Sequence, residues 1–290
     1  MSILRAAPSR THMSNLAEEI RDELTQAAAD DELELPTLPE VALKIRDAAE
    51  DPDVSVSTLA EVISEDPVLA AQVVKGANSP MFRRSQAIED ITMAVGRMGV
   101  EYAANLATGL AMQHMFQATS EVVDAKLRSI WKHATDVAAI ASVLATSLTS
   151  LRADQAALAG LTHSIGALPV LAFAEEHDDL IQDEQTLDRV IAQVQAPLGT
   201  MILQHWHFPE ELVQVPAQLH DFGRDAPAAD YIDITQVACL QAVAGTNGPL
   251  TELDWSTVTA FPRLGLNAEQ ARETLTELAE LFQMSKDVFG

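Results

Sequence analysis

The side chains in this 290-residue chain that could hold a metal or carry acid–base chemistry are eight histidines, one cysteine and a surplus of carboxylates. Three histidine settings stand out. His133 follows Trp131 in a long apolar-periodic stretch. His163 sits within Gly160-Leu161-Thr162-His163-Ser164-Ile165-Gly166. His205, His207 and His220 fall close together, near Trp206 and Pro209. Neutral imidazole is a good ligand for zinc or iron, and rings from three helices can converge on one ion. The competing reading makes each ring a core or boundary histidine satisfied by hydrogen bonds, because scattered histidines without fixed ligand spacing are weak evidence for a metal. Other enzyme templates fail: there is no Gly-x-Gly-x-x-Gly, no phosphate loop ending in Gly-Lys and no Gly-x-Ser-x-Gly elbow. Cys239 lies in the apolar run 237–243, the setting of a buried, inert thiol.

The elements that must position these groups are helices. A first amphipathic helix is expected over 14–29, with Leu16, Ile20 and Leu24 four apart. Pro36 and Pro39 force an extended connector. Helices carrying Val41, Ile45 and Ala48, then Leu59, Val62 and Ile63, should follow, the second capped by Ser55 or Ser57. Asp66-Pro67 predicts a capped helix start, and Asn78 the end of that helix, either bonding the freed carbonyls or turning left-handed. Further helices are expected over 88–98, with a stop at Gly99, and over 100–116. The pattern then lengthens, with helices over 122–148, 154–173, 187–205, 209–220 and 228–244. A loop-rich excursion around Trp255 precedes a last amphipathic helix over 267–284, starting at Asn267. Arg83-Arg84, with Arg97, is the one local basic cluster; it reads as solvated pairing with Glu89 and Asp90, with an anion or nucleotide contact as the alternative.

Composition agrees. Hydrophobic residues make up 48% of the chain but aromatics only 4%, which favours helices over sheets. Lys plus Arg number 18 against 43 Asp plus Glu, a formal charge of −25, so no nucleic-acid partner and no anionic membrane surface is expected. A single cysteine excludes an intramolecular disulfide and suits the cytoplasm, and residues 1–10 lack the apolar stretch of a secretory leader. Segments 102–120 and 155–174 carry no Asp, Glu, Lys or Arg, yet His, Gln, Gly and Pro interrupt them. Buried core helices are the better reading than membrane spans.

Leu35-Pro36-Thr37-Leu38-Pro39, then Ile63-Ser64-Glu65-Asp66-Pro67-Val68-Leu69, then Ala77-Asn78-Ser79 resembles the pattern of HDOD domains. Ile130-Trp131-Lys132-His133, Ala159-Gly160-Leu161-Thr162-His163-Ser164-Ile165-Gly166 and His205-Trp206-His207-Phe208-Pro209 continue it in order. The resemblance covers about 33–245. It implies an all-α, two-lobed helical bundle with an N-terminal helical lobe over 14–120 and a C-terminal lobe over 121–290 shaped like an HD domain; residues 1–13, which lack periodicity, are expected to be disordered. Asp66, Pro67, Asn78, Ser79, Trp131, Gly160, Leu161, Gly166, Trp206 and Pro209 are then structural residues of the family motif.

For catalysis the resemblance implies a loss. HD phosphohydrolases hold metal with a His-Asp doublet, an earlier His and a later Asp, because carboxylates bridge hard divalent ions and fix the attacking water. Here the doublet reads His163-Ser164, the later Asp position aligns with Cys239, and the usual Lys after the doublet's glycine is Ala167. His133 and His163 are left as two ligands, and protein sites supply three or more. The expectation is therefore no catalytic residue, no metal and no cofactor, with His133, His163, Ser164 and Cys239 as vestiges. The implied role is a bacterial signalling module acting on protein partners, with the last helix a candidate for homodimerisation. The competing readings are a phosphohydrolase with rearranged ligands, drawn from His163, His205, His207 and His220, and a nucleotide-binding sensor.

Overall fold

Caps and prolines set where the first helices begin. A computed structural model of the chain describes residues 10–30, 33–82, 87–181, 183–244, 250, 253–266 and 268–289. α1 (Arg10–Ala29) starts four residues before the expected point, while 1–9 lie outside the described residues, as do Arg83-Arg84 and Asn267. The proline connector leads into α2 (Glu40–Glu50). In α3 (Val56–Ser64) the Ser55 hydroxyl caps the Thr58 amide, so Ser55 and not Ser57 is the cap. α4 (Pro67–Ala77) has Pro67 at its first position, and Asp66 Oδ1 accepts from the amides of Val68 and Leu69. Burial alone would raise the Asp66 pKa; those amides and the His114 ring, 3.1 Å from Oδ2, outweigh it and hold the carboxyl below its usual range.

Asn78 ends α4 in a right-handed conformation, so its left-handed alternative is not used. Its side chain does more than cap. Nδ2 donates to the carbonyls of Val74 and Ile88, and Oδ1 accepts the Ile88 amide, tying the end of α4 to the chain ten residues on. α5 (Ile91–Met98) starts at a later residue than the periodicity suggests because Asp90 caps it. Gly99, at φ +86°, separates it from α6 (Val100–Ala111). The expected helix over 100–116 tightens at Met112–Met115 into a 3₁₀ turn.

The longest element is α7 (Glu121–Leu148). The single helix expected over 154–173 is two: α8 (Ala153–Thr162) and α9 (Ala167–Glu175), joined by a turn at 163–166. Pro169 accounts for the break. In a continuous helix its ring would meet the Ile165 carbonyl and its missing N–H would leave that acceptor free; in the first turn of α9 neither cost arises. Segment 153–175 is long and apolar enough to cross a membrane by composition, and 89% of its most apolar window is buried in the core.

The chain continues through α10 (Asp178–Ile181), α11 (Glu184–His205), α12 (Glu210–Gln218) and α13 (Tyr231–Ala242). A 3₁₀ turn at Trp255–Thr257 and α14 (Ala260–Arg263) follow. The expected last helix is again two, α15 (Ala268–Glu277) and α16 (Ala279–Phe289). Among the described residues there is no strand. The architecture is an all-α, two-lobed bundle. α7 and α8 pack against each other, and α13 lies across both. α1 packs on α11, and α16 bridges α7 and α4. The lobes are also wired together by motif residues: Trp206 Nε1 donates to the Pro36 carbonyl, and Arg46 donates to the carbonyls of Trp206 and His207.

Candidate functional site

The turn before Pro169 delivers His163 and Ser164 inward, and Gly160 and Gly166 let it press close to the backbones of α7 and α11. His163 is 6% exposed, and its Nδ1 donates to the Gly160 carbonyl at 2.6 Å, satisfying an acceptor freed by the helix end. This bond fixes the tautomer and leaves Nε2 as the ring's lone pair. His133, from α7, sets its ring against that of His163 with centroids 5.5 Å apart and planes at 74°. Cys239, from α13, is buried beside them. One ligand atom from each of His133, His163 and Cys239 lies within 4.8 Å of the other two.

These groups line a cavity of about 290 Å³, together with Ser164, His220, Asp188 and Gln195. The histidine pair thus has a third candidate ligand atom beside it, because α13 brings up the Cys239 thiol. His220 joins the cavity wall, but His205 and His207 do not. Both are exposed, because the intervening Trp206 takes the buried position; His207, at φ +55°, instead lines a separate cleft beside Arg46 and Phe208. The rearranged ligand set fails for those two residues. Asp188 was not singled out by sequence reading, though Asp188, Ile191 and Gln195 recur at helical spacing on the face of α11 that meets the cavity. Its carboxylate is ion-paired with Lys126.

The electrostatics of the cavity favour neutral groups. Burial, with His133 and His220 nearby, pushes the His163 pKa down to about 3 against the pull of the Gly160 carbonyl. Burial also lowers His133, opposed by Asp136 and assisted by Lys286, and it lowers His220. Burial pushes the Cys239 thiol up to about 12. The Ser164 hydroxyl oxygen is buried without a hydrogen-bond partner. A pair of hard ions bridged by carboxylates does not fit this donor set: the doublet offers a neutral hydroxyl, the opposite wall a thiol, and Asp188 is engaged by Lys126. Among the other motif residues, the Trp131 and Phe116 ring centroids lie 5.0 Å apart, Leu161 and Ser79 are buried, and Pro209 occupies the N-cap position of α12.

A pH dependence follows. Because the folded-state pKa of His163 is depressed, its contribution to stability is complete above the unfolded value near 6.5. It is lost as pH falls from there toward about 3, since the unfolded chain binds a proton that the folded chain does not. At ~1.4 kcal/mol per pH unit, His163 alone should cost roughly 2 kcal/mol between pH 6.5 and pH 5. Urea midpoints at both pH values should show this loss, and His163→Gln should flatten the slope by about one proton. Equal slopes would contradict a neutral buried ring.

Comparison with known proteins places the chain among relatives. Residues 35–222 match the family model of the HDOD domain. An uncharacterized protein of Treponema pallidum (strain Nichols) is 29% identical over 227 residues, which is 73% of this chain and 41% of that relative; the chain thus spans less than half of its length. A crystal structure of a provisionally named metal-dependent phosphohydrolase from Shewanella amazonensis SB2B is 29% identical. It superimposes with a TM-score of 0.83 over 94% of this chain and 99% of its own. A provisionally named signal transduction protein from Marinobacter aquaeolei VT8 is 24% identical, with a TM-score of 0.64 over 94% of this chain and 66% of its own.

Proposed function

The chain belongs to the HDOD domain family, and from that premise we propose that it is a cytoplasmic, non-catalytic signalling module that acts through contacts with protein partners. One observation carries the proposal. Ser164 and Cys239, which the family resemblance aligns with the carboxylate positions of HD phosphohydrolases, line the cavity beside His133 and His163. Hydrolysis of a phosphate ester by hard ions needs anionic ligands that neutralise the metals and orient water. A protonated hydroxyl and a thiol supply neither. The signalling name of the Marinobacter relative agrees with a regulatory role, although at 24% identity the likeness extends only to the fold.

A second reading, metal-dependent hydrolysis, is favoured by the convergence of three ligand atoms and by the name of the Shewanella relative. Manganese binding separates the two. The wild-type chain should take up no stoichiometric Mn²⁺ at millimolar metal, whereas Ser164→Asp combined with Cys239→Asp should raise Mn²⁺ affinity about tenfold or more by restoring two hard ligands. Two Mn²⁺ bound per wild-type chain would overturn the regulatory reading.

A further inference from the structure

We propose that His133, His163 and Cys239 form a binding site for a single thiophilic divalent ion, with zinc the best fit, which pins α7, the α8–α9 turn and α13 together. The reasoning starts from donor chemistry. Two imidazoles and a thiolate are the ligands zinc prefers, and three protein ligands are enough to hold it while a fourth position stays open. Manganese, magnesium and calcium prefer carboxylate and carbonyl oxygen, which this triad lacks. The thiol proton leaves to solvent as the sulfur binds.

The geometry supports this. Zinc bonds of ~2.0–2.1 Å to nitrogen and ~2.3 Å to sulfur put tetrahedral ligand atoms roughly 3.3–3.8 Å apart. The triad lies within 4.8 Å, so closure requires each side chain to move inward by well under its own length, into an existing cavity of about 290 Å³. The hydrogen bond from His163 Nδ1 to the Gly160 carbonyl matters most. Metal-bound histidines almost always donate their second ring N–H to a carbonyl or carboxylate, which aims the other nitrogen at the ion. At 2.6 Å that partner is already in place, and Nε2 is the atom left to bind.

Two further polar groups, His220 and Ser164, line the same cavity. Ser164 is 8% exposed and its buried Oγ has no partner, so it can orient a bound water. The histidines sit on α7 and on the turn after α8, and the cysteine on α13, elements that pack directly on one another. An ion there would staple the core of the C-terminal lobe. The inference rests on the triad and not on the regulatory reading, and it goes beyond that reading.

Cobalt(II) titration of the chelator-treated full chain tests it. One Co²⁺ per chain is expected, with visible bands of a tetrahedral site and a near-ultraviolet sulfur-to-cobalt charge-transfer band, both removed by equimolar Zn²⁺. Cys239→Ser should abolish the charge-transfer band and weaken zinc binding about tenfold or more. His205→Ala should behave as wild type. Zinc should also raise the thermal midpoint of the unmutated chain, a readout independent of any variant's folding. Absence of the band, its survival in Cys239→Ser, or an unchanged wild-type midpoint would overturn the proposal. Failure here leaves the regulatory reading intact, whereas phosphate-ester turnover that depends on His163 would sink that reading and spare the zinc site.

Discussion

Gly166→Ala should unfold the C-terminal lobe. A Cβ at this position would lie 1.9 Å from the Gln195 carbonyl oxygen and 2.5 Å from the Gly199 amide nitrogen, both backbone atoms of α11. Gly160 has the same problem against α7, where a Cβ would fall 2.5 Å from the Ala138 Cα and 2.6 Å from its amide nitrogen. Side chains can rotate away from an added methyl, and overpacking then costs about 1–3 kcal/mol. Helix backbone cannot, short of moving a whole element. The φ of Gly166 is the ordinary helical one, −66°, so the glycine is required for close approach and not for backbone freedom. Helix propensity alone predicts a gain of about 1 kcal/mol for Gly→Ala; packing predicts a loss above ~4 kcal/mol, a large share of a typical folding free energy. Urea unfolding of both variants decides the sign. A change within ~0.5 kcal/mol would mean that the turn does not press against α11 as described.

Asp233→Ala is the second change with a large expected effect. Asp233 is fully buried at the start of α13 and receives two arginines. Oδ1 accepts from Arg224 Nη2 at 2.6 Å and Arg263 Nη2 at 2.7 Å, and Oδ2 accepts from Arg263 Nε at 2.8 Å. Oδ2 also closes a capping box with the Asp230 amide at 3.3 Å. Arg263 further donates to the Arg224 carbonyl and the Thr259 hydroxyl, so α13, α14 and the segment before α13 share one polar knot. Removing the aspartate takes the ion-paired carboxylate from Arg263 and leaves the nearly buried Arg224 with Asp230 alone. Breaking a buried pair from one side costs about 3–5 kcal/mol. Denaturant unfolding should show a loss of that size, with Asp233→Asn intermediate because the amide oxygen still accepts. A loss below ~1 kcal/mol would mean that water reaches the arginines.

That knot was not legible in the sequence, and the reason is instructive. Asp233 sits among Tyr231, Ile232 and Ile234, where an acid reads as an ordinary first-turn residue; its arginine partners lie elsewhere in the chain, and no local pattern links them. Boundaries marked by local chemistry were legible at Ser55, Asp66-Pro67 and Gly99, which all sit at helix termini, whereas the Asp90 cap was missed. The α8–α9 break was missed because the whole stretch is apolar, although the position of Pro169 contained the signal. The α15–α16 break at Leu278 carries neither glycine nor proline, and the sequence holds no warning of it.

The site divides the same way. His133, His163 and Cys239 were connected through family resemblance, because residues so far apart acquire a shared environment only when α7, the turn and α13 pack. His205 and His207 drew attention by proximity in sequence, which says little about the direction a ring points once Trp206 has claimed the interior. Asp188 could have been found from its helical spacing with Ile191 and Gln195.

The proposed role requires that this HDOD domain work without phosphohydrolase chemistry. Its most direct test is turnover of phosphate mono- and diesters by the full chain loaded in turn with Mn²⁺, Fe²⁺ and Zn²⁺, compared with His163→Ala handled identically. Both proteins should give the same metal-only background rate. Metal-dependent turnover in the wild type that disappears in His163→Ala would contradict it.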